Sequence, residues 1–182
     1  MDEKNKYIHK IINSKITTDI NIFSKLLTNN GKTIGLDVGK KNIGVSVSDN
    51  LRKVALNNGT LKRKNFKLDT EKIKIIIKEN NIDSFVIGFP LNLKGEIGPS
   101  AQSVLTFSYN IEKIFKIPIL LWDERYSSLA VEKVMIKDDL SRIKRSKIID
   151  MASATWILQG ALDSIAFNKY KRINHEKIEN YD

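Results

Sequence analysis

The sequence predicts an α/β domain built on a mixed five-stranded sheet, in the order β-β-β-α-β-α-β-α-α, with helices packed over it. Three observations lead there. Residues 33–63 read as a meander of three strands separated by turn residues. Two short, almost wholly apolar runs, SFVIGFP (84–90) and IPILLWDE (117–124), have the texture of strands buried on both faces. Between and after them apolar residues recur at helical spacing, and a meander followed by alternating helices and strands gives a mixed sheet covered by helices.

Taken in order, residues 1–31 form an N-terminal extension. Its apolar cluster Ile22, Phe23, Leu26 and Leu27 predicts one short helix behind a Thr18 or Asp19 cap. TIGLDVG (33–39), a turn at Gly39-Lys40-Lys41 and NIGVSVSD (42–49) make a hairpin, and ALNNGTLKR (55–63) a weaker third strand. Asp69 or Thr70 caps a helix to about Asn80 with Ile73, Ile76 and Ile77 on one face. After the strand at 84–90, Gly95 and Gly98 punctuate a loop, and Pro99 opens a helix to about Phe115. Val104, Phe107, Ile111, Ile114 and Phe115 lie roughly along one side of it. The strand at 117–124 leads to a helix capped by Ser127 or Ser128, a basic loop at 138–147 and a long apolar helix over about 147–167. The expected division is an extension at 1–31, a catalytic domain at 32–168 and a polar tail at 169–182.

Composition narrows the chemistry. Among 182 residues there are no cysteines and two histidines, His9 and His175, both in polar terminal stretches. Disulfides, thiol nucleophiles, the usual zinc clusters and a Ser-His-Asp triad are therefore not expected. No apolar run approaches the roughly 20 residues that cross a bilayer, and the N-terminus lacks the apolar stretch and cleavage site of a secretion signal. A cytoplasmic location is the expectation. A net charge of +10 favours a polyanionic partner, because lysines and arginines that meet phosphates release condensed counterions. A Lys/Ile/Asn-rich composition can also arise from coding bias alone.

Carboxylates are left to carry catalysis. Asp37 lies near the end of a strand, with Gly39 and Gly44 following; the plainer reading is a turn residue that orders the hairpin. Asp123 and Glu124 close a buried strand at the rim where α/β sheets place their ligands, with Arg125 directly after. Strand alternation points them to different faces, so one binds metal while the other pairs with Arg125 or caps the next helix; Glu124 is taken as the ligand and Asp123 as the alternative. Asp150 interrupts an apolar helix face, and an unpaired buried carboxylate needs a cation, a metal or a solvent cleft; the competing reading is a partner for Arg145 or Lys147. Three acids without His or Cys suit a hard cation, Mg²⁺ or Mn²⁺, and such ions can activate water for phosphodiester hydrolysis. Lys40, Lys41, Arg125, Arg142, Lys144, Arg145 and Lys147 are the candidates to hold the nucleic-acid backbone.

Four segments, GLDVGKKNIGVSVSD (35–49), VIGFPLNLKGEIGPSAQSV (86–104), LLWDERYSSLAVE (120–132) and KRSKIIDMASATWILQGALD (144–163), resemble in order and spacing the YqgF/RuvX family, which is similar to the RuvC Holliday junction resolvases. The resemblance covers about 33–165. It implies a ribonuclease H-like fold and a metal-dependent endonuclease that matures the small-subunit ribosomal RNA precursor or cuts branched DNA. It also matches Asp37, Glu124 and Asp150 to the family's three acids. The usual glycine-leucine-proline of the family reads Gly88-Phe89-Pro90 here, and the residues before Thr33 have no counterpart. A homodimer is a further expectation, because junction cutters act as symmetric pairs, although no segment marks an interface.

Overall fold

The computed structural model describes residues 15–124 and 153–170. Six strands form one sheet in the spatial order β1-β6-β5-β2-β3-β4. They are β1 (Ile16–Thr17), β2 (Lys32–Val38), β3 (Asn42–Ser48), β4 (Ala55–Lys62), β5 (Ile82–Phe89) and β6 (Ile119–Asp123). The meander β2-β3-β4 is antiparallel, while β5 pairs parallel with β2 and with β6. All five expected strands are present in the expected order. The sixth comes from the extension: Ile16 and Thr17 pair parallel with Ile119 and Leu120.

The helices are α1 (Ile20–Leu26), α2 (Phe66–Asn80), α3 (Pro99–Phe115) and α4 (153–170). Asp19 caps α1, its carboxylate accepting the amides of Asn21 and Ile22. For α2 the expected cap is corrected: Asn65 accepts the Leu68 amide, and the helix begins at Phe66. An Asn at that position satisfies an orphan donor of the first turn. Asp69 instead lies buried inside the first turn, accepting from the Lys64 amide at 3.1 Å and from Arg63 Nε at 3.4 Å. Pro99 opens α3 as expected, but Ile114 is half exposed and Leu105 takes its expected place in the core. Of the last predicted helix, residues 147–152 lie outside the described residues.

Alternation sorts the sheet into two cores. Leu36, Ile87 and Leu121 stand side by side across β2, β5 and β6 and bury against the face covered by α2 and α3, with Ile73, Val104 and Ile111. Val86 and Leu120 point the other way and pack with Ile157, Leu158, Ala161 and Leu162 of α4 and with Phe23 of α1. Phe23 and Ile16 are essentially inaccessible to solvent, so residues 16–23 of the extension pack into both cores. Among the described residues, no helix is long and apolar enough to cross a membrane.

A polar strap closes the sheet end opposite the turn at Gly39. Arg52, at φ 51° in the β3-β4 turn, donates to Asp83 Oδ1 and the Thr28 carbonyl at 2.5 Å each, and to Thr33 Oγ1 at 3.1 Å. Burial would raise the Asp83 carboxyl, but hydrogen bonds from Arg52 and Thr28 and the Arg52 charge outweigh it and hold the group below the usual carboxylate range.

Candidate active site

The register that builds the cores also places the acids. Since Leu36, Ile87 and Leu121 face α2 and α3, the next residue on each strand turns toward α4: Asp37, Gly88 and Trp122, the latter two paired in register. Asp37 is the penultimate residue of β2 and pairs with Gly44 of β3. Two residues beyond Trp122, Glu124 returns to the same face, while Asp123 between them is directed as Leu121 is.

Two glycines make the room. A Cβ at Gly88 would collide with Oε1 of Glu124 and lie 2.6 Å from Cδ1 of Ile157; the Glu124 carboxylate therefore fills the space over β5, beneath α4. A Cβ at Gly35 would collide with Ser46 Oγ and lie 2.7 Å from Cβ of Leu158 and 3.1 Å from the Ala154 carbonyl. Ser46 uses the same gap to donate to that carbonyl at 2.7 Å, which fixes the described start of α4 over the strand that carries Asp37. Gly39 is less tightly confined, its added Cβ meeting the Asn42 carbonyl at 3.0 Å.

Charge is concentrated here. Burial first, then the negative charges of Asp37 and Asp123, push the Glu124 carboxyl from 4.5 to about 7. Desolvation and like charge both disfavour the ionised form, and a raised carboxyl among other acids in a cleft marks a candidate functional site. Asp37 of β2 and Asp123 of β6 thus both act on Glu124 at one end of the sheet. Among the described residues, no three His, Cys, Asp or Glu side chains are grouped to hold a metal ion. Asp150 lies outside the described residues, as do Arg125, Arg142, Lys144, Arg145 and Lys147. Lys40 and Lys41 are exposed on the turn that follows Asp37.

Arg63 carries a role that the sequence pattern did not signal. Its Nη1 donates to the Gly39 carbonyl at 2.8 Å, its amide to the Lys41 carbonyl at 2.9 Å, and its guanidinium lies over Phe107 at 5.8 Å and beside Asp69. The turn that follows Asp37 is therefore braced from the opposite side by a cation with partners on α2 and α3.

Comparison with known proteins gives concordant findings. The family profile described as "RuvX: Holliday junction resolvase" matches residues 31–164. A protein of Rhodobacter capsulatus named "Putative pre-16S rRNA nuclease" is 44% identical over 144 residues, covering 79% of this chain and 91% of that one. A protein of Nitrobacter hamburgensis with the same name is 47% identical over 136 residues, covering 75% and 83% respectively. Among solved structures, the yeast mitochondrial Holliday junction resolvase Ydc2 superposes with a TM-score of 0.52 at 12% identity, over 87% of this chain and 89% of that one. That last likeness concerns the fold, which is ribonuclease H-like.

Proposed function

The chain belongs to the RuvX family, and from that premise we propose that it is a metal-dependent endonuclease hydrolysing phosphodiester bonds during 5′-end maturation of the small-subunit ribosomal RNA precursor. It acts in the cytoplasm. The observation that carries the reading is the pairing of Asp37 and Glu124 on one face of one sheet end, the second carboxyl raised to about 7 by burial and by its acidic neighbours. An acid so placed gains most from a nearby cation, and an all-oxygen donor set without His or Cys fits Mg²⁺ or Mn²⁺. Asp37, Glu124 and Asp150 would hold the ion. When bound, such an ion polarises the phosphate and lowers the pKa of water.

The chain's own residues do the rest. Glu124, seated over Gly88, places its carboxylate above β5, the strand between β6 and β2, and Asp37 presents its carboxylate from a strand end whose following turn is braced by Arg63. Lys40 and Lys41, exposed after Asp37, hold the phosphate backbone, as do Arg125, Arg142, Lys144, Arg145 and Lys147; such contacts position the substrate without reading its sequence. The deciding experiment incubates the protein with Mg²⁺ or Mn²⁺ and either a ribosomal RNA precursor carrying its 5′ leader or a four-way DNA junction. Cleavage of the RNA, lost in Asp37→Asn, Glu124→Gln and Asp150→Asn, is expected. Cutting of the junction alone would replace this substrate with branched DNA.

A further inference from the structure

Among the described residues, the outer edge of β6 is only partly paired. β1 pairs only with Ile119 and Leu120, so beyond Leu120 the outer edge of β6 has no strand beside it among the described residues. A cavity of ≈ 690 Å³ occupies that edge, within the range of about 300–1,000 Å³ typical of small-ligand sites. Phe89, Trp122 and Phe167 supply aromatic walls, and Asp123, Asp163 and Asn168 the polar ones. Trp122 is held from one side, since a Cβ at Gly160 would lie 3.2–3.5 Å from its indole. Phe167, 58% exposed, lines the cavity from α4. Asp163 is oriented by Gln159, which donates to its Oδ1 at 2.8 Å while itself pinned to the Ala55 amide and the Lys53 carbonyl.

Two features select the occupant. The carboxylates Asp123 and Asp163 repel phosphate, in a chain whose net charge is otherwise strongly positive, so the nucleic-acid backbone is excluded from this cavity while it is attracted elsewhere. Carboxylate and amide oxygens accept hydrogen bonds from the N–H groups of a base edge, and aromatic side chains offer stacking faces that every base can use. The cavity borders the sheet end that carries the acids, because Asp123, the last residue of β6, lines it. We infer that this cavity seats one unpaired nucleobase of the substrate, stacked against Trp122 and Phe167, next to the bond to be cut. The inference rests on the nuclease reading and deepens it: the substrate must be single-stranded, or able to flip a base, beside the scissile phosphate.

The chain contains two tryptophans, so Trp156→Phe leaves Trp122 as the sole indole reporter. With this full-length variant in EDTA, emission is titrated with a short single-stranded RNA, the same RNA annealed to its complement, and an abasic ribose-phosphate oligomer of equal length. Quenching by the single strand alone is expected. Adding Phe167→Ala should weaken single-strand binding about tenfold, the scale of one lost stack, and leave binding of the abasic oligomer unchanged. Equal quenching by the abasic oligomer, or no effect of Phe167→Ala, overturns the inference. So does a shift of Trp122 emission with protein concentration in the absence of RNA, which would give the cavity to a second copy of the chain. Cleavage measured in parallel separates the two readings. If Asp37-dependent cutting persists while base dependence is absent, only the cavity inference falls; if base-dependent binding persists while neither the parent nor Asp37→Asn cuts with Mg²⁺ or Mn²⁺, only the nuclease assignment does.

Discussion

Replacing Gly88 with alanine would set a methyl group against Oε1 of Glu124 and 2.6 Å from Cδ1 of Ile157. Both atoms are ends of flexible side chains, so the structure can yield by turning Glu124 aside and shifting Ile157. Stability should therefore fall only by about 1–2 kcal/mol, the low end of what overpacking costs. Activity is different. A carboxylate displaced by about 1 Å from its working position loses on the order of a hundredfold in turnover. Gly35→Ala makes the contrasting case, because its methyl would meet Cβ of Leu158 at 2.7 Å and the Ala154 backbone carbonyl at 3.1 Å. Backbone cannot rotate away, and a cost of about 2–3 kcal/mol is expected. Urea unfolding paired with metal-dependent cleavage reads both effects. A Gly88→Ala protein that cuts like the parent would refute the claim that Glu124 works from the space over that glycine.

Other consequences follow from particular groups. Glu124 has its folded value raised from 4.5 to about 7, so the folded state binds that proton more tightly than the unfolded chain does. Its contribution is full below about pH 4.5 and is lost as pH rises through 7. The shift amounts to about 3 kcal/mol at most, and partial exposure reduces it to about 1–2. In EDTA, Glu124→Gln should match the parent near pH 4.5 and exceed its stability by about 1–2 kcal/mol at pH 8; a difference that does not vary with pH would contradict the assigned environment. Asp83 has the opposite sign: its lowered carboxyl stabilises above the ordinary value of 3.8 and ceases to do so as pH falls below it. Arg52→Met should cost about 2–3 kcal/mol at pH 7, with the gap narrowing under acid, as thermal melts across pH would register. Phe23→Ala should cost about 3–5 kcal/mol in urea unfolding; a cost under 1 kcal/mol would mean that α1 is not part of the folded unit.

What the sequence made legible, and what it did not, has a physical pattern. Strands buried on both faces announce themselves by composition, which is why 84–90 and 117–124 were readable as β5 and β6. Alternation said that Asp123 and Glu124 face apart but not which of them serves the site; the structure places the Glu124 carboxylate over Gly88, beneath α4. β1 was not legible because two residues carry no period, and its pairing partners lie about a hundred positions away. The start of α2 was misplaced because Asn65, Asp69 and Thr70 are all plausible caps, and only packing decides that Asp69 is buried against Arg63. Gly35, Gly88 and Arg63 act through contacts with distant segments, so their roles appear only once the sheet register is known. Gly88 stood within a recognisable segment, yet its function as clearance for Glu124 depends on β6 lying beside β5.

The most direct measurement of the central claim is a crystal structure with Mn²⁺ located by its anomalous scattering. The account predicts Mn²⁺ held by carboxylate oxygens of Asp37, Glu124 and Asp150 at about 2.0–2.5 Å, in the range of such oxygen ligands. Mn²⁺ bound elsewhere in a protein that still cleaves RNA, with Asp37 and Glu124 making no contact to it, would contradict the account.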